Sequence, residues 1–183
     1  MRNPIAEQLI LIRIKNKDKD AYGKFYDLYV KRIYRFIFFK VNSEHDAQDL
    51  TSEVFLKVWQ YIKDDKDIQN LNSFIYMVAR NCVIDFYRQQ VRKQDNETPA
   101  DDSAYGNADE AADPQRKLAA ASDLKEILAG LKNLKDEYRE VIILRFIDEL
   151  SIREITEILK KPNLSVRVLL HRAMEALKKE VVK

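Results

Sequence analysis

The stretch SIREITEILKKPNLSVRVLLHRAMEALKK, residues 151–179, contains two amphipathic segments on either side of a short turn. Ser151 and Glu154 match a capping box, in which each side chain satisfies a backbone N–H of the first helical turn. A helix is therefore predicted over Ile152–Leu159. Pro162 has no N–H to lose and suits the first turn of the helix that follows the KKPN turn. The sequence predicts a helical hairpin here.

The second helix of this hairpin has one apolar stripe and a polar, basic outer face. The stripe consists of Val166, Leu170, Ala173 and Leu177. The outer face carries Ser165, Arg167, Val168, His171, Arg172, Lys178 and Lys179. A short helix, a tight turn and a second helix with polar and basic residues near its start are typical of the DNA-binding helix-turn-helix. Any amphipathic hairpin shares part of this pattern, so the hairpin alone leaves simple packing open.

Charge divides the chain into two basic modules and an acidic segment. Residues 1–93 carry 17 basic and 12 acidic side chains, and residues 116–183 carry 15 and 11. Residues 94–115 carry seven acidic side chains, no basic one and few apolar residues, so we predict a flexible acidic linker. Two basic modules suit a polyanion contacted at two places. Linkers are also often acidic without such a role.

The first module is predicted to be all-α, with three or four helices. No glycine or proline occurs between Gly23 and Pro99, which favours long helices. Asp18 is predicted to cap the helix that begins directly after it, and Ser43 with Asp46 resembles a capping box that opens the next helix. The helix after Ser43 has its apolar stripe at Ala47, Leu50, Val54, Val58 and Ile62. Its predicted outer face carries Gln48, Asp49, Ser52, Glu53 and Lys57.

A further helix of this module, over residues 72–90, mixes apolar positions with rings and guanidinium groups, and Asn70 or Asn72 is its predicted cap. Three- and four-residue spacing gives a buried face of Ile75, Val78, Cys82 and Phe86. The remaining positions include Tyr76, Arg80, Asn81, Tyr87 and Arg88. A helix that only filled a core would not need this second face, so we expect it to contact a partner.

The composition excludes several classes of protein. One cysteine and two histidines can build neither a disulfide framework nor a closed zinc site. We therefore predict no catalytic residue, no metal and no cofactor, and hence no enzyme. No apolar run is long enough to span a bilayer, and the N-terminus lacks a signal-peptide pattern. The sequence predicts a cytoplasmic protein without membrane insertion.

Four segments together resemble the extracytoplasmic-function group of alternative sigma factors of bacterial RNA polymerase. Residues 18–36, DKDAYGKFYDLYVKRIYRF, are similar to the start of sigma region 2. Residues 46–60, DAQDLTSEVFLKVWQ, resemble the family segment D-A-x-D-L-x-Q-E-x-F-L-x-x-W, and residues 74–88, FIYMVARNCVIDFYR, match W-L-x-x-I-A-R-N followed by D-x-x-R. Residues 134–173 are similar to region 4 almost throughout.

The chain departs from the family pattern at five positions. Ser52 stands where the family usually has Gln on its polymerase-facing surface, Phe74 replaces a common Trp, and Met77 occupies a frequently polar position. Leu164 and Leu169 stand where Gly and Arg are common. The last two leave the promoter preference open without changing the expected mode of DNA binding.

The resemblance implies two domains with different binding partners. Residues 1–93 would be sigma region 2, 94–115 the linker and 116–183 sigma region 4. Region 2 would dock on the β′ clamp helices of core RNA polymerase through Gln48, Asp49, Ser52, Glu53 and Lys57. The core enzyme would supply all covalent chemistry, and the resemblance also implies a β-flap contact and an anti-sigma factor as a partner.

The promoter contacts implied by the resemblance lie on two helices. Unpaired bases of the −10 element would be held by stacking and by cations, through Lys63, Lys66, Asn72, Tyr76, Arg80, Asn81 and Arg88. The last helix would enter the major groove at the −35 element with Asn163, Ser165, Arg167, Val168, His171 and Arg172. Arg80 is equally compatible with a structural ion pair, and Tyr87 with simple packing.

Two other classes of protein share parts of this pattern. A helix-turn-helix repressor with a dimerisation or ligand-binding first module would bind duplex DNA without polymerase. A helical nuclease would need a carboxylate or histidine cluster that the sequence does not offer. Binding to duplex DNA with and without core enzyme, and a metal-dependent cleavage assay, separate these alternatives.

Overall fold

Helices make up all the regular structure in the residues that the computed structural model describes, which are 4–16, 18–41, 43–64, 66–94 and 129–181. The elements are α1 (Pro4–Lys15), α2 (Lys19–Val41), α3 (Glu44–Lys63), α4 (Leu71–Gln94), α5 (Asp136–Ile142), a π-helical turn (Ile143–Ile147), α6 (Ile152–Leu159) and α7 (Asn163–Val181). The predicted all-α fold is confirmed. The predicted linker lies outside the described residues, apart from Gln94 at the end of α4.

Side-chain caps fix where the helices of the first module begin. Asp18 Oδ1 accepts two N–H bonds from the first turn of α2, at 2.9 and 3.1 Å, and Ser43 Oγ accepts one from α3 at 3.3 Å. Both residues act as caps, as predicted, but the bonds described at Ser43 do not include the reciprocal one from the Asp46 carboxylate that completes a capping box. Of the two candidates for α4, Asn70 is the cap, because its Oδ1 accepts the N–H of Ser73 at 3.0 Å. Asn72 lies inside the helix, so its side chain does not cap α4.

The core of the first module is built around the aromatic side chains of α2. The fully buried residues of α2 include Phe25, Tyr29, Ile33, Phe36 and Ile37. The five residues of the predicted α3 stripe are all buried against them. The Phe25 and Tyr29 ring centroids are 5.0 Å apart, and the Tyr22 ring meets Trp59 edge-on at 4.7 Å. Such pairs stabilise the packing beyond the area they bury.

The second module, residues 129–181, forms the predicted helical hairpin on a supporting layer. Ser151 and Glu154 make both hydrogen bonds of the capping box at the start of α6. Lys160 then adopts a left-handed conformation, with φ of 53°, which ends α6 and turns the chain into α7. α5 packs against α7, so that Val141 and Val166 lie in one apolar core. The boundaries of α6 agree with the prediction.

The two modules are in contact. α4 packs against α6, and several hydrogen bonds and ion pairs join α2 and α4 to the second module. The sequence patterns predicted two separately folded modules and gave no sign of this contact. It determines which of the predicted site residues are exposed.

Candidate nucleic-acid interface

The outer face of α7 has the composition expected of a DNA-reading helix. Every predicted residue on it is exposed: Asn163, Ser165, Arg167, Val168, His171 and Arg172. Arg167 Nε donates to Asn163 Oδ1 at 2.8 Å, which holds the guanidinium near the start of the helix. The first residues of such a helix are those that reach base edges. The structure thus brings the predicted residues together on one surface.

Two apolar side chains lie on the same surface. Leu164 is 74% exposed and Val168 is 42% exposed, although both are large enough to be buried. Lys160 and Lys161 flank them in the preceding turn and are also exposed. Apolar contacts to thymine methyl groups and cationic contacts to phosphates need these types of side chain. Leu164 and the two lysines were not among the predicted contacts, although their position beside the turn could have indicated them.

The residues proposed for the melted strand are divided between solvent and the module contact. Lys63, Lys66, Asn81 and Arg88 are exposed. Lys66 lies 5.3 Å from the centroid of the Tyr61 ring and 3.2 Å from Asp64 Oδ2. A cation and an aromatic ring therefore lie side by side where α3 meets the loop that follows it. Arg88 pairs with Asp85 at 3.4 Å. These four positions agree with the expectation of an accessible face.

Asn72 and Tyr76 are buried, which corrects the expectation that Tyr76 lies on the outer face of the helix. Tyr76 has no exposed surface and Asn72 only 1%. The Tyr76 ring meets Phe36 edge-on at 5.4 Å. Asn72 Nδ2 donates to Glu154 Oε1 at 2.8 Å, across to α6. Asn72 is thus held by α6 of the second module, whereas the Tyr76 ring packs on Phe36 of α2 within its own module.

Arg80 is half-buried and forms an ion pair with the second module. Its Nε lies 3.1 Å from Oε1 of Glu140, and Nζ of Lys40 lies 3.1 Å from the same oxygen. Glu140 and Lys40 are both buried. The structural ion pair left open for Arg80 is therefore present. Tyr87 donates its hydroxyl to the Lys40 carbonyl at 2.6 Å, which agrees with the packing alternative for that residue.

Asp148 forms a third charged contact between the modules. Its carboxylate pairs with Arg35, and its carbonyl accepts from Arg32 Nη2 at 2.7 Å. Burial raises the pKa of Asp148, and the Arg35 partner offsets part of that rise. Burial, together with the Asp148 charge, also raises the pKa of Tyr76. The module contact thus contains buried charged groups beside apolar residues that belong to one core cluster.

A separate surface is formed by the outer face of α3. Gln48, Asp49, Ser52, Glu53 and Lys57 are all exposed, as predicted. Lys57 Nζ lies 2.7 Å from Glu53 Oε1, and this bond raises the pKa of Lys57. His45 and Asp49 approach to 3.3 Å. Such exposed pairs contribute little to the stability of a helix. The fold therefore does not depend on these side chains, and they can bind a partner instead.

An apolar groove adjoins this face and was not predicted. It has a volume of about 540 Å³ and is lined by Lys19, Tyr22, Tyr26, Ser52, Phe55, Leu56 and Trp59. Leu56 is 69% exposed and Tyr26 is 43% exposed. Exposed apolar residues that cluster beside polar ones are typical of protein-binding surfaces. Leu56 is a large apolar residue outside the apolar stripe of α3, and this position could have indicated the groove from the sequence.

Neither metal ligands nor membrane-spanning helices are found in the described part of the chain. No three His, Cys, Asp or Glu side chains there are grouped to hold a metal ion. None of the helices described is long and apolar enough to cross a membrane. Cys82 is buried, and burial raises the pKa of its thiol, which disfavours the reactive thiolate.

Known proteins are similar in sequence to this chain over both modules. The family models for Sigma-70 region 2 and Sigma-70 region 4 match residues 25–93 and 124–177. The chain is 31% identical to the ECF RNA polymerase sigma factor SigW of Bacillus subtilis, over 92% of this chain and 93% of SigW.

Solved structures show the same fold. CnrH, in complex with the cytosolic domain of CnrY, superposes with a TM-score of 0.69 at 18% identity, over 95% of this chain and 96% of CnrH. The sigma factor RpoE of Bartonella quintana, in complex with the anti-sigma factor NepR, gives 0.64 at 18% identity, over 87% of this chain and 96% of RpoE.

Proposed function

The chain belongs to the extracytoplasmic-function sigma factors, which direct promoter-specific transcription by bacterial RNA polymerase, and from this premise we propose how its surfaces divide that work. The observation that carries the proposal is the separation of three surfaces. They are the groove and acidic face on α3, the outer face of α7, and the aromatic and cationic face of α4. Each surface carries the types of side chain that one expected partner would need.

The α3 surface is proposed to dock on the β′ clamp helices of the core enzyme. Leu56 and Tyr26 would supply the apolar contacts, and Asp49 and Glu53 a charged rim beside them. An apolar centre with a polar rim is the usual anatomy of a protein interface. The groove supports this assignment because Ser52, one of the five residues predicted from the sequence, is part of its lining.

The second module is proposed to read the −35 element through α7. Arg167 and Arg172 can address guanine edges, and Ser165 and Lys161 can contact phosphates. The exposed Leu164 and Val168 offer apolar contact to thymine methyl groups. The identity of the preferred bases depends on these side chains, because the family pattern has Gly rather than Leu at position 164.

The α4 surface is proposed to hold the unpaired strand of the −10 element. Asn81 and Arg88 on α4, with Lys63 and Lys66 at the end of α3 and in the loop after it, are accessible for this role. Asn72 and Arg80 are held by Glu154 and Glu140, and the Tyr76 ring is packed on Phe36. Stacking and backbone neutralisation are the two ingredients of single-strand binding, and this set of residues contains both.

We propose further that the chain performs no covalent chemistry and needs no cofactor, because the core enzyme carries out nucleotidyl transfer. Its site of action would then be the bacterial cytoplasm, with the polymerase. An anti-sigma protein is a proposed regulator, supported by RpoE of Bartonella quintana, which has the same fold and was solved in complex with the anti-sigma factor NepR.

Transcription from a genomic library, using core polymerase from the same bacterium with and without this protein, tests the proposal. We expect new start sites that share −10 and −35 sequences and appear only when the protein is present. Tight binding of duplex DNA without core enzyme, and no new start sites, would favour the repressor alternative instead.

A further inference from the structure

A cavity of about 780 Å³ lies where α1, the loop before α4, the start of α4 and α6 come together. Its lining shares no residue with the three surfaces to which polymerase and promoter contacts are assigned above. Cavities of roughly 300–1,000 Å³ at the contact between two domains are common sites for small ligands. Residues of both modules line this cavity, so it is complete only in the arrangement that the structure shows.

The lining of the cavity is acidic. Four carboxylates and one guanidinium belong to it: Glu7, Asp67, Glu154, Glu157 and Arg153. Glu7 and Glu154 are buried, with exposures of 9% and 5%. Arg153 lies 3.6 Å from Glu157, but its side chain is 90% exposed, so water screens much of its charge. Lys15 pairs with Asp67 at 2.5 Å from outside the lining. An excess of negative charge remains, which favours a cationic ligand.

Apolar and aromatic side chains complete the lining. They are Leu11, Tyr61, Ile68, Leu71, Phe74 and Met77. The ring centroids of Tyr61 and Phe74 are 4.5 Å apart, and Lys66 Nζ lies 5.3 Å from the Tyr61 centroid. An ammonium group therefore already approaches one of these rings. Aromatic rings beside carboxylates are suited to alkylammonium groups, and aliphatic side chains are suited to the methylene groups that join them.

Ser73 gives an independent indication that a polar ligand belongs in this cavity. It is part of the lining and is only 5% exposed. Among the described residues, its Oγ has no hydrogen-bond partner. A buried hydroxyl without a partner is costly, and a serine oxygen can accept a hydrogen bond from an ammonium N–H. A bound amine would remove this cost.

We propose that the cavity binds a linear aliphatic polyamine, in which ammonium groups are separated by methylene chains. The ammonium groups pair with the carboxylates and with Ser73 Oγ, and the methylenes lie against Phe74 and Met77. A metal ion suits the cavity less well, because in the described part of the chain no three acidic, histidine or cysteine side chains are grouped to hold one. A neutral ligand would leave the excess negative charge unanswered.

The test is isothermal titration calorimetry of the full chain with spermidine, in the absence of nucleic acid and polymerase. Its outcome is therefore independent of the proposed promoter and polymerase contacts. Butane-1,4-diamine and butane-1,4-diol serve as a pair of equal length with and without charge, and magnesium chloride at equal ionic strength controls for screening. We expect spermidine to bind more tightly than the diamine, and neither the diol nor magnesium to bind at millimolar concentrations.

Charge reversal within the lining should weaken binding of spermidine. Glu157→Lys replaces an exposed carboxylate of α6 by a cation, so the fold is retained while affinity falls about tenfold or more. Glu137→Lys makes the same change of charge at an exposed site on α5, outside the lining, and should bind as wild type does. Circular dichroism verifies the helices of both variants.

Ser73→Ala separates a ligand contact from a structural role. The hydroxyl has no partner among the described residues, so its removal should keep or raise the melting temperature of the free protein. Affinity for spermidine should nevertheless fall about tenfold, because a hydrogen bond to a charged group is lost. A fall in melting temperature with unchanged affinity would assign Ser73 to packing and overturn its part in the site.

Three results would overturn the proposal as a whole. The first is an absence of spermidine binding to the wild type at millimolar concentrations. The second is equal weakening by E157K and E137K, since spermidine would then respond to net charge alone. The third is tighter binding of a tetralysine peptide than of spermidine, which would assign the cavity to a basic segment of another protein.

Discussion

Arg80 Nε of α4 and Glu140 Oε1 of α5 are 3.1 Å apart, although 60 residues separate them in the chain. Lys40 Nζ lies 3.1 Å from the same oxygen, so one carboxylate pairs with two cations of the first module. The same arginine is one of the α4 residues proposed to contact the melted strand. A guanidinium paired with Glu140 is not available to the strand, so substitution of α4 residues tests the proposed role directly.

Substituting Asn81 or Arg80 should impair promoter opening while leaving core binding unchanged. Bases become available to α4 only after they unpair, so these contacts stabilise the open state selectively. Loss of one such contact should cost on the order of 1–3 kcal/mol. Permanganate reactivity of thymines near the start site measures opening directly, with Asn81→Ala and Arg80→Gln as the variants.

The controls for this prediction follow from burial. Gln90→Ala changes an exposed residue on the opposite side of α4 from Asn81 and should behave as wild type. Tyr76→Ala is a poor probe, since emptying a fully buried ring site costs about 3–5 kcal/mol of stability. A promoter already unpaired at −10 should lessen defects in melting. Wild-type reactivity of both variants on duplex promoter would show that this face does not contact the melted strand.

Leu56→Glu should weaken binding of the core enzyme without affecting the fold. Leu56 is largely exposed in the α3 groove, so the substitution removes little packing from the free protein. A central apolar residue of an interface is commonly worth about 2 kcal/mol or more. Competition with a labelled sigma factor for core enzyme measures the change. Leu28→Glu, at an exposed leucine outside the groove, is the matched control.

The charged rim of the same surface gives an independent variant. Asp49 and Glu53 lie four residues apart on one side of α3, and reversing both to Lys should also reduce affinity for the core. Thermal stability should change little, because both side chains are exposed. Should L56E and the double reversal both compete as well as wild type, the polymerase docks elsewhere.

The Asp18 cap predicts a specific pH dependence of stability. Hydrogen bonds from the backbone of α2, together with Arg13, hold the pKa of Asp18 below its ordinary value of 3.8. A carboxyl with a lowered pKa stabilises the fold above the unfolded-state pKa, and this stabilisation is lost as the pH falls through the lower, folded-state pKa. Asp18→Asn keeps a capping oxygen but cannot ionise.

Melting temperatures of wild type and D18N should therefore differ by a constant amount at neutral pH and converge below 3.8. Asp27→Asn removes one negative charge from an exposed site on the same helix and controls for net charge. A wild-type advantage that persists unchanged into that acidic range would show that the cap acts without its charge.

Periodicity predicted burial well where a helix has one packing surface. All five residues of the α3 stripe are buried and all five predicted outer residues are exposed, because α3 packs only within its own module at those positions. α4 has two packing surfaces. Its second one contains Asn72, Tyr76 and Arg80, whose polar atoms allow either solvent or a polar contact, so the pattern could not distinguish between them.

The α3 groove shows a different limit. Leu56 and Tyr26 come from different helices, and neither disturbs the stripe of its own helix. Only the packing of α2 against α3 brings them together. Local patterns identify faces of single helices, whereas a groove depends on how two helices cross. By contrast, both caps and the capping box were predicted, since they depend on residues within one turn.

The α7 surface gives the last prediction, which concerns the −35 element. Arg167→Ala and Arg172→Ala should each lower initiation on a −35-dependent promoter without unfolding the second module, since both side chains are exposed. A lost base-edge contact should cost about 1–3 kcal/mol and relax the preference at one or two base pairs, whereas a lost phosphate contact should weaken all sequences alike. Holoenzyme binding to promoters with single −35 substitutions distinguishes the two.

Asn163 and Lys179 make this prediction sharper. Asn163 Oδ1 accepts from Arg167 Nε at 2.8 Å, so Asn163→Ala should reproduce part of the Arg167→Ala defect if that bond positions the guanidinium. Lys179 is exposed on the same helix, about 24 Å further along its axis, beyond the turns that reach base edges. Lys179→Ala should therefore leave sequence preference intact. If both arginine variants initiate like wild type on such a promoter, α7 does not lie in the major groove, and the exposed Leu164 and Val168 serve another partner.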